Sequence, residues 1–171
     1  MYLESIALLR TTPCLAEPGK IIVTGKPSNS LEMVIPYLAS LPNAISFNPE
    51  ASTLTLRRQP GFITLFPDKV HITQVKDVEE GLPLLEALKQ AINTTWERRH
   101  ELVAATKKSK APRPLDVYAL LPQTNCKQCG EATCMAFAFG LLMHTRTLEG
   151  CPPLNAGIEF SDRRATLEAM L

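Results

Sequence analysis

From Ala44 to Gln74 apolar and polar residues alternate with a period of two, broken by short turn signals. The pattern predicts four strands. Ala44 to Phe47 pairs across Asn48-Pro49-Glu50 with Thr53 to Arg57, and Phe62 to Phe66 pairs across Pro67-Asp68 with Val70 to Gln74. One face then carries Ile45, Phe47, Leu54, Leu56, Ile63, Leu65, Val70 and Ile72. The other carries Ser46, Thr53, Thr55, Arg57, Phe62, Thr64, Phe66, His71 and Thr73. Upstream, Tyr2 to Leu9 and Ile21 to Thr24 read as strands, with turns at Thr12-Pro13 and Glu17-Pro18-Gly19. Between them and the four strands, Leu31, Val34, Ile35 and Leu38 form a helical stripe that Pro36 is expected to kink. After the strands the period lengthens to that of a helix. Asp77 with Glu80 three residues on is a capping-box-like start, and Leu85, Leu88, Ile92 and Trp96 make an apolar face for the sheet.

The fold class expected is α+β, an antiparallel sheet with two helices followed by a small helical region. The expected divisions are an α+β scaffold over 1–104, a basic, proline-containing linker over 105–114, a cysteine-rich region over 115–155 and a tail over 156–171. In the tail, Ser161 is placed to cap a last helix whose Leu167, Met170 and Leu171 dock on the body.

Composition narrows the function classes. The chain has 171 residues, 45% hydrophobic and 20% charged, which suits a globular protein with a substantial core. A formal net charge of +1 argues against a dedicated nucleic-acid binder. No apolar run approaches the ~18 residues of a membrane span. The first residues lack the basic start and continuous apolar core of a signal peptide, so a cytoplasmic protein with free thiols is expected. His71, His100 and His144 stand apart from any nucleophile spacing, and His71 reads as a solvated strand residue. No glycine-rich phosphate loop is present. These absences favour a carrier or accessory protein over an enzyme.

The candidate chemistry lies in LLPQTNCKQCGEATCMAFAFGLL…EGCPPL. Cys126, Cys129, Cys134 and Cys151 are spaced C-x2-C-x4-C-x16-C, with Pro152 after the last. One continuous helix from Cys134 to Cys151 would hold those two about 25 Å apart at 1.5 Å per residue. If both bind one centre, the chain must go out and return. Ala136, Phe137, Gly140 and Leu141 suit a short outward helix, and His144 to Glu149 a polar return. An odd cysteine total in a chain of this size speaks against a disulfide framework. A structural zinc site usually has two C-x2-C knuckles, whereas an iron–sulfur site often has three crowded thiolates and a distant fourth before proline. Spacing favours iron–sulfur and excludes neither. Cys14, the fifth cysteine, reads as a small buried hydrophobe.

Leu121-Pro122, Asn125-Cys126, Cys129-Gly130, Cys134 with Phe137-Ala138, and Cys151-Pro152 together resemble a small 4Fe-4S domain family. That family includes the domain in the large subunit of corrinoid iron–sulfur proteins and in the B subunit of Rnf-type complexes. Lys127 stands where the family often has glycine. The resemblance implies one [4Fe-4S] cluster on Cys126, Cys129, Cys134 and Cys151, and low-potential anaerobic redox chemistry. Four thiolate ligands leave no open iron site. One-electron transfer with a protein redox partner is therefore the leading expectation, and an assembly or regulatory module with a structural or oxygen-sensing cluster the alternative. The partner domains of those relatives are absent, so the donor and acceptor are not named by it.

The order strand–helix–four strands–helix over Gly19 to His100, with turns FNPEAS and LFPDKV, resembles one half of the TATA-binding protein fold. One half with a threonine-lined face implies a scaffolding or protein-binding sheet, or a merely solvated face, and no specific binding of duplex DNA. Finally, Lys127, His144, Arg146 and the basic run Arg98, Arg99, Lys107, Lys108, Lys110 and Arg113 are expected either to favour a reduced cluster and attract an acidic partner, or simply to be solvated.

Overall fold

The computed structural model describes residues 1–14, 17–107 and 112–171; Lys108 and Lys110 of the basic run lie outside the described residues. Six strands, β1 (Ile6–Pro13), β2 (Ile21–Pro27), β3 (Ala44–Asn48), β4 (Thr53–Arg57), β5 (Phe62–Leu65) and β6 (Val70–Val75), form one antiparallel sheet in the order β1-β2-β6-β5-β4-β3. The long helix α2 (Val78–Glu97) covers one face. The α+β class and the strand–helix–four strands–helix order expected from Gly19 onward are both present.

The first strand runs later than its hydrophobicity suggests. Asn93 on α2 accepts the backbone N–H groups of Tyr2 and Leu3 at 2.8 and 2.7 Å, and donates to the Leu3 carbonyl at 2.9 Å. Residues 2 and 3 are thus tied to the helix, and pairing in the sheet begins at Ile6. The expected Thr12-Pro13 turn continues the strand, because a proline at the end of an edge strand leaves no ladder bond unmade. The first helix, α1 (Ile35–Leu38), is one turn. Pro36 lies in its first turn, where a missing N–H costs nothing, so it starts the helix rather than kinking it.

Helix α2 begins as its sequence dictates, with the Asp77 carboxylate accepting from the Glu80 N–H at 2.9 Å. Leu85, Leu88 and Ile92 meet Phe47, Leu54, Leu56, Leu65, Val70 and Ile72 in a wholly apolar core, with Trp96 and Ile63 at its margin. Ile45 is the exception to the alternation. A register irregularity between Ala44 and Ser46 turns it to the other face, where it joins Phe62.

That other face departs most from expectation. Ser46, Thr53, Thr55, Thr64, His71 and Thr73 are buried, not solvated. Helices α3 (Pro114–Tyr118), α4 (Cys134–Leu142), α5 (Pro152–Asn155) and α6 (Ser161–Met170) carry a second core of Val117, Leu121, Phe137, Leu141, Leu148, Leu154, Leu167 and Met170, which Ile45 and Phe62 complete from the sheet. The last carbonyls of α6 accept from the Ser46 hydroxyl, Met170 at 3.0 Å. Leu167 and Met170 dock as expected, although Ser161 is the first residue of the helix instead of its side-chain cap. The sheet face is covered within the chain and acts as a scaffold for the cysteine region. No helix among the described residues is long and apolar enough to cross a membrane.

Candidate metal centre

The cysteine segment is anchored where it leaves the sheet. Asp116, nearly inaccessible, accepts both guanidinium nitrogens of Arg57 on β4 at 3.1 and 3.2 Å, and the backbone N–H of Arg113 at 3.0 Å. Burial works against the Asp116 charge, but hydrogen bonds from Arg113 and Arg57 more than offset it and hold the carboxyl below its usual range.

Beyond Leu121-Pro122 the chain winds tightly. Gln123, Asn125, Lys127 and Gly130 have φ of +60, +49, +61 and +82°. Left-handed steps at this density coil the loop tightly. Asn125 tolerates it and uses its side-chain oxygen to accept from the Cys134 N–H at 2.8 Å. Lys127, at the position where glycine is usual in the family it resembles, takes the conformation that only glycine adopts without strain.

Thr133 then caps α4, accepting from the Ala136 N–H at 3.1 Å, so Cys134 lies in the helix's first turn. The helix ends in a Schellman turn. The Thr145 N–H bonds back to Gly140 at 2.9 Å and the His144 N–H to Leu141 at 3.1 Å, with His144 at φ +56°. Gly140 makes the reversal possible, because a Cβ there would stand 2.6 Å from Cγ of Arg146. Arg146 in turn pairs with Glu131 at 2.7 Å, tying the return to the cysteine loop. Asn155 donates to the carbonyls of Leu148 at 3.0 Å and Cys151 at 2.8 Å, fixing the last cysteine. The out-and-back path expected from helix length is therefore built by one turn and two side chains.

The four thiols of this segment line one pocket, with Leu121, Pro122 and Phe137 as apolar wall and Thr124, Asn125, Lys127 and Glu131 at its polar side. Cys134 and Cys151 are buried, Cys129 half-buried and Cys126 exposed. The backbone N–H of Gln128 and then the Thr124 hydroxyl lower the Cys126 thiol. Burial raises the Cys151 thiol, against the Leu154 N–H, and the charges of Cys129, Cys134 and Cys126 raise it further. Four thiolates facing one pocket repel one another unless a cationic centre lies between them, so the donor set fits a metal centre. Among the described residues, no group of three or more His, Cys, Asp or Glu side chains is gathered to hold a single metal ion.

Other candidates fall elsewhere. Cys14 is buried but does not line the pocket. His71, expected in solvent, is 0% exposed, and neither ring nitrogen has a hydrogen-bond partner. Burial pushes it down to about 4, only partly opposed by Asp162, whose carboxylate lies 3.6 Å away. Much of the expected cationic surface is engaged. Arg146 is bound to Glu131, Arg98 to Glu101 at 2.9 Å, Arg113 to Asp116, and Arg99 stacks on Trp96. Sequence reading passed over Asn155, Asp162 and Arg163. For Arg163 a signal existed: with Thr166, Leu167 and Met170 it falls at i, i+3, i+4 and i+7, on the face of α6 that is buried.

Residues 121–153 match the family described as "Putative Fe-S cluster". The gamma subunit of the acetyl-CoA decarbonylase/synthase complex of Methanosarcina acetivorans is 47% identical over 62 residues, 36% of this chain and 13% of that protein. Its counterpart in Methanothermobacter thermautotrophicus is 49% identical over 57 residues, 33% of this chain and 11% of the relative. That of Methanocaldococcus jannaschii is 56% identical over 41 residues, 24% of this chain and 8% of the relative. The chain thus spans only a small part of the relatives it matches. No solved structure matches it significantly.

Proposed function

We infer that the cysteine segment, which matches an iron–sulfur cluster family and is similar to part of acetyl-CoA decarbonylase/synthase gamma subunits, is a cluster-binding region. We propose that Cys126, Cys129, Cys134 and Cys151 hold one [4Fe-4S] cluster, and that the protein uses it to pass single electrons to or from a protein partner. The observation that carries this reading is the convergence of all four thiols on one pocket, within a segment that matches an iron–sulfur cluster family.

Bound there, such a cluster supplies a one-electron couple. The chain's own residues do the rest. Phe137, Leu121 and Pro122 keep water from the buried side, where Cys134 and Cys151 lie. The Gln128 N–H and the Thr124 hydroxyl, which donate to Cys126, would tune the potential of a cluster held there. Exposed Cys126 and Lys127 mark the edge at which a partner comes within electron-transfer distance. The relatives' names place them in acetyl-CoA decarbonylase/synthase complexes, so the partner proposed is a redox subunit of a similar anaerobic, corrinoid-linked assembly in the cytoplasm.

A second reading has an observation of its own. Cys134 and Cys151 belong to the second core, which is otherwise built from helices as short as four and five residues. Helices that short are not stable alone, so a cluster there also serves as a staple. An anaerobic redox titration followed by EPR separates the two readings. A carrier cycles reversibly between two states, and a structural or oxygen-sensing cluster stays silent or degrades on cycling.

A further inference from the structure

Arg163 is a buried cation whose contacts are two carbonyls and the Phe160 ring, 5.8 Å from its guanidinium. Its side chain is 1% exposed, yet among the described residues no carboxylate pairs with it. Asp162, its chain neighbour, is committed to Arg10 and Thr12 of β1. Arg163 sits in the first turn of α6, the end at which a helix disfavours positive charge. One terminal nitrogen donates to the carbonyls of Ala119 and Leu121 at 3.0 and 2.8 Å. The other, Nη1, is buried with no partner. A guanidinium does not shed its proton to escape burial, and an uncompensated buried charge is costly. The ionisable side chain near enough to act on its charge is Cys14.

The position of the two carbonyls supplies a reason. Leu121, which takes the shorter bond, also forms the wall of the pocket lined by the four thiols. Leu121 thus links the guanidinium to the cavity wall. An all-thiolate iron–sulfur core is anionic, and reduction adds one more negative charge.

We infer that Arg163 is the buried counter-cation of the metal centre: it holds the entry to the cysteine loop through the Ala119 and Leu121 carbonyls and sets the cluster's potential through its charge. This rests on the cluster reading above. Because the charge is buried, its effect is only weakly screened by salt, unlike that of Lys127 or the exposed cations. Arg163 is a positioning and tuning residue, and it touches no reacting atom.

The test compares Arg163→Lys, Arg163→Met and Arg163→Gln with the wild-type protein, all purified anaerobically. Iron and sulfide in the wild type are assayed first; a wild type without them removes the cluster reading and this inference together. With a loaded wild type, potentials are measured at low and high salt. In the neutral variants the ratio of reduced to oxidised cluster at the wild-type midpoint is expected to fall about tenfold, a shift of about 59 mV to more negative potential, at both salt concentrations. The lysine variant keeps a potential close to wild type. A lysine variant that loads while the Met and Gln variants stay empty also supports the inference, since charge is then what the site requires. Unchanged potentials in the neutral variants overturn it, as does a lysine variant as empty as they are, which would leave only the hydrogen bonds. Cys14→Ala separates the remaining source: a potential that moves as far there as in Arg163→Met makes the thiol the partner of Arg163 and overturns the inference.

Discussion

On one face of the sheet Leu54, Leu65, Ile72, Leu85 and Ile92 meet with no polar side chain among them; on the other, threonines, His71, Asp116, Asp162 and Arg163 are buried beside the cysteines. The first face is held mainly by apolar burial, at roughly 25 cal/mol per Å² removed from water. The second is held by specific pairs, and each pair joins residues far apart in sequence: Arg57 with Asp116, Arg10 with Asp162, Arg163 with Leu121. Area tolerates substitution by anything apolar of similar size, whereas a buried polar pair tolerates little. The candidate chemistry lies on the face that adds buried polar pairs to its apolar core.

The largest effect expected is on the second face. Cys126, Cys129, Cys134 or Cys151→Ala should each abolish or degrade the cluster, whereas Cys14→Ala should leave its absorbance intact; visible spectra of anaerobic samples show which. On the first face, Leu54→Ala should cost about 2–5 kcal/mol in denaturant unfolding and leave the cluster's spectrum unchanged. A spectral change there would mean that the two faces are not independent.

His71 sharpens the contrast through pH. Its folded pKa lies near 4, below the ordinary 6.5, so the unfolded chain takes up a proton first as pH falls. Its contribution is therefore complete above about pH 6.5 and is lost progressively toward pH 4, reaching about 2 kcal/mol at pH 5. His71→Leu should flatten the stability difference between pH 7 and pH 5. An equal slope in both proteins would mean that the histidine is not buried neutral.

Asp116→Asn removes the anchor of the cysteine segment. Because Arg57 and Arg113 keep part of their hydration, the expected loss is about 2 kcal/mol, read by denaturant unfolding at pH 7. Its depressed pKa adds a sign: the stabilisation is present above the usual carboxylate pKa and fades as pH falls through the lower folded value. The smallest effect is at Lys127. Relieving its left-handed backbone by Lys127→Gly should stabilise the loop by up to about 1 kcal/mol, offset in part by the unfolded-state freedom of glycine. A loss of cluster in that variant would assign the lysine side chain a role that its backbone does not explain.

The same contrast explains what was legible in the sequence. Period two and period 3.6 report which residues leave water, so β3 to β6, α2 and the first core could be read from Leu54, Ile72, Leu85 and their neighbours. The cysteine spacing was legible as a set of thiols that could share one centre, and on that condition helix length required the turn that His144 and Gly140 make. The covering of the threonine face was not. Threonine suits a solvated strand and a buried one alike, and nothing local to Thr55 or Thr64 announces a helix more than a hundred residues away. Ile45 was misplaced for a related reason: a register irregularity moves a side chain to the other face without altering the pattern of residue types. Arg163 was missed because a charged residue is taken for a surface one, although its helical spacing with Leu167 and Met170 pointed inward.

The central claim is that four thiols converge on one multinuclear centre, and metal and sulfide analysis of anaerobically purified protein tests it most directly. The expected result is four irons and four sulfides per chain, retained by Cys14→Ala and lost from Cys134→Ala and Cys151→Ala. Stoichiometric zinc, with neither iron nor sulfide after anaerobic reconstitution, would contradict it.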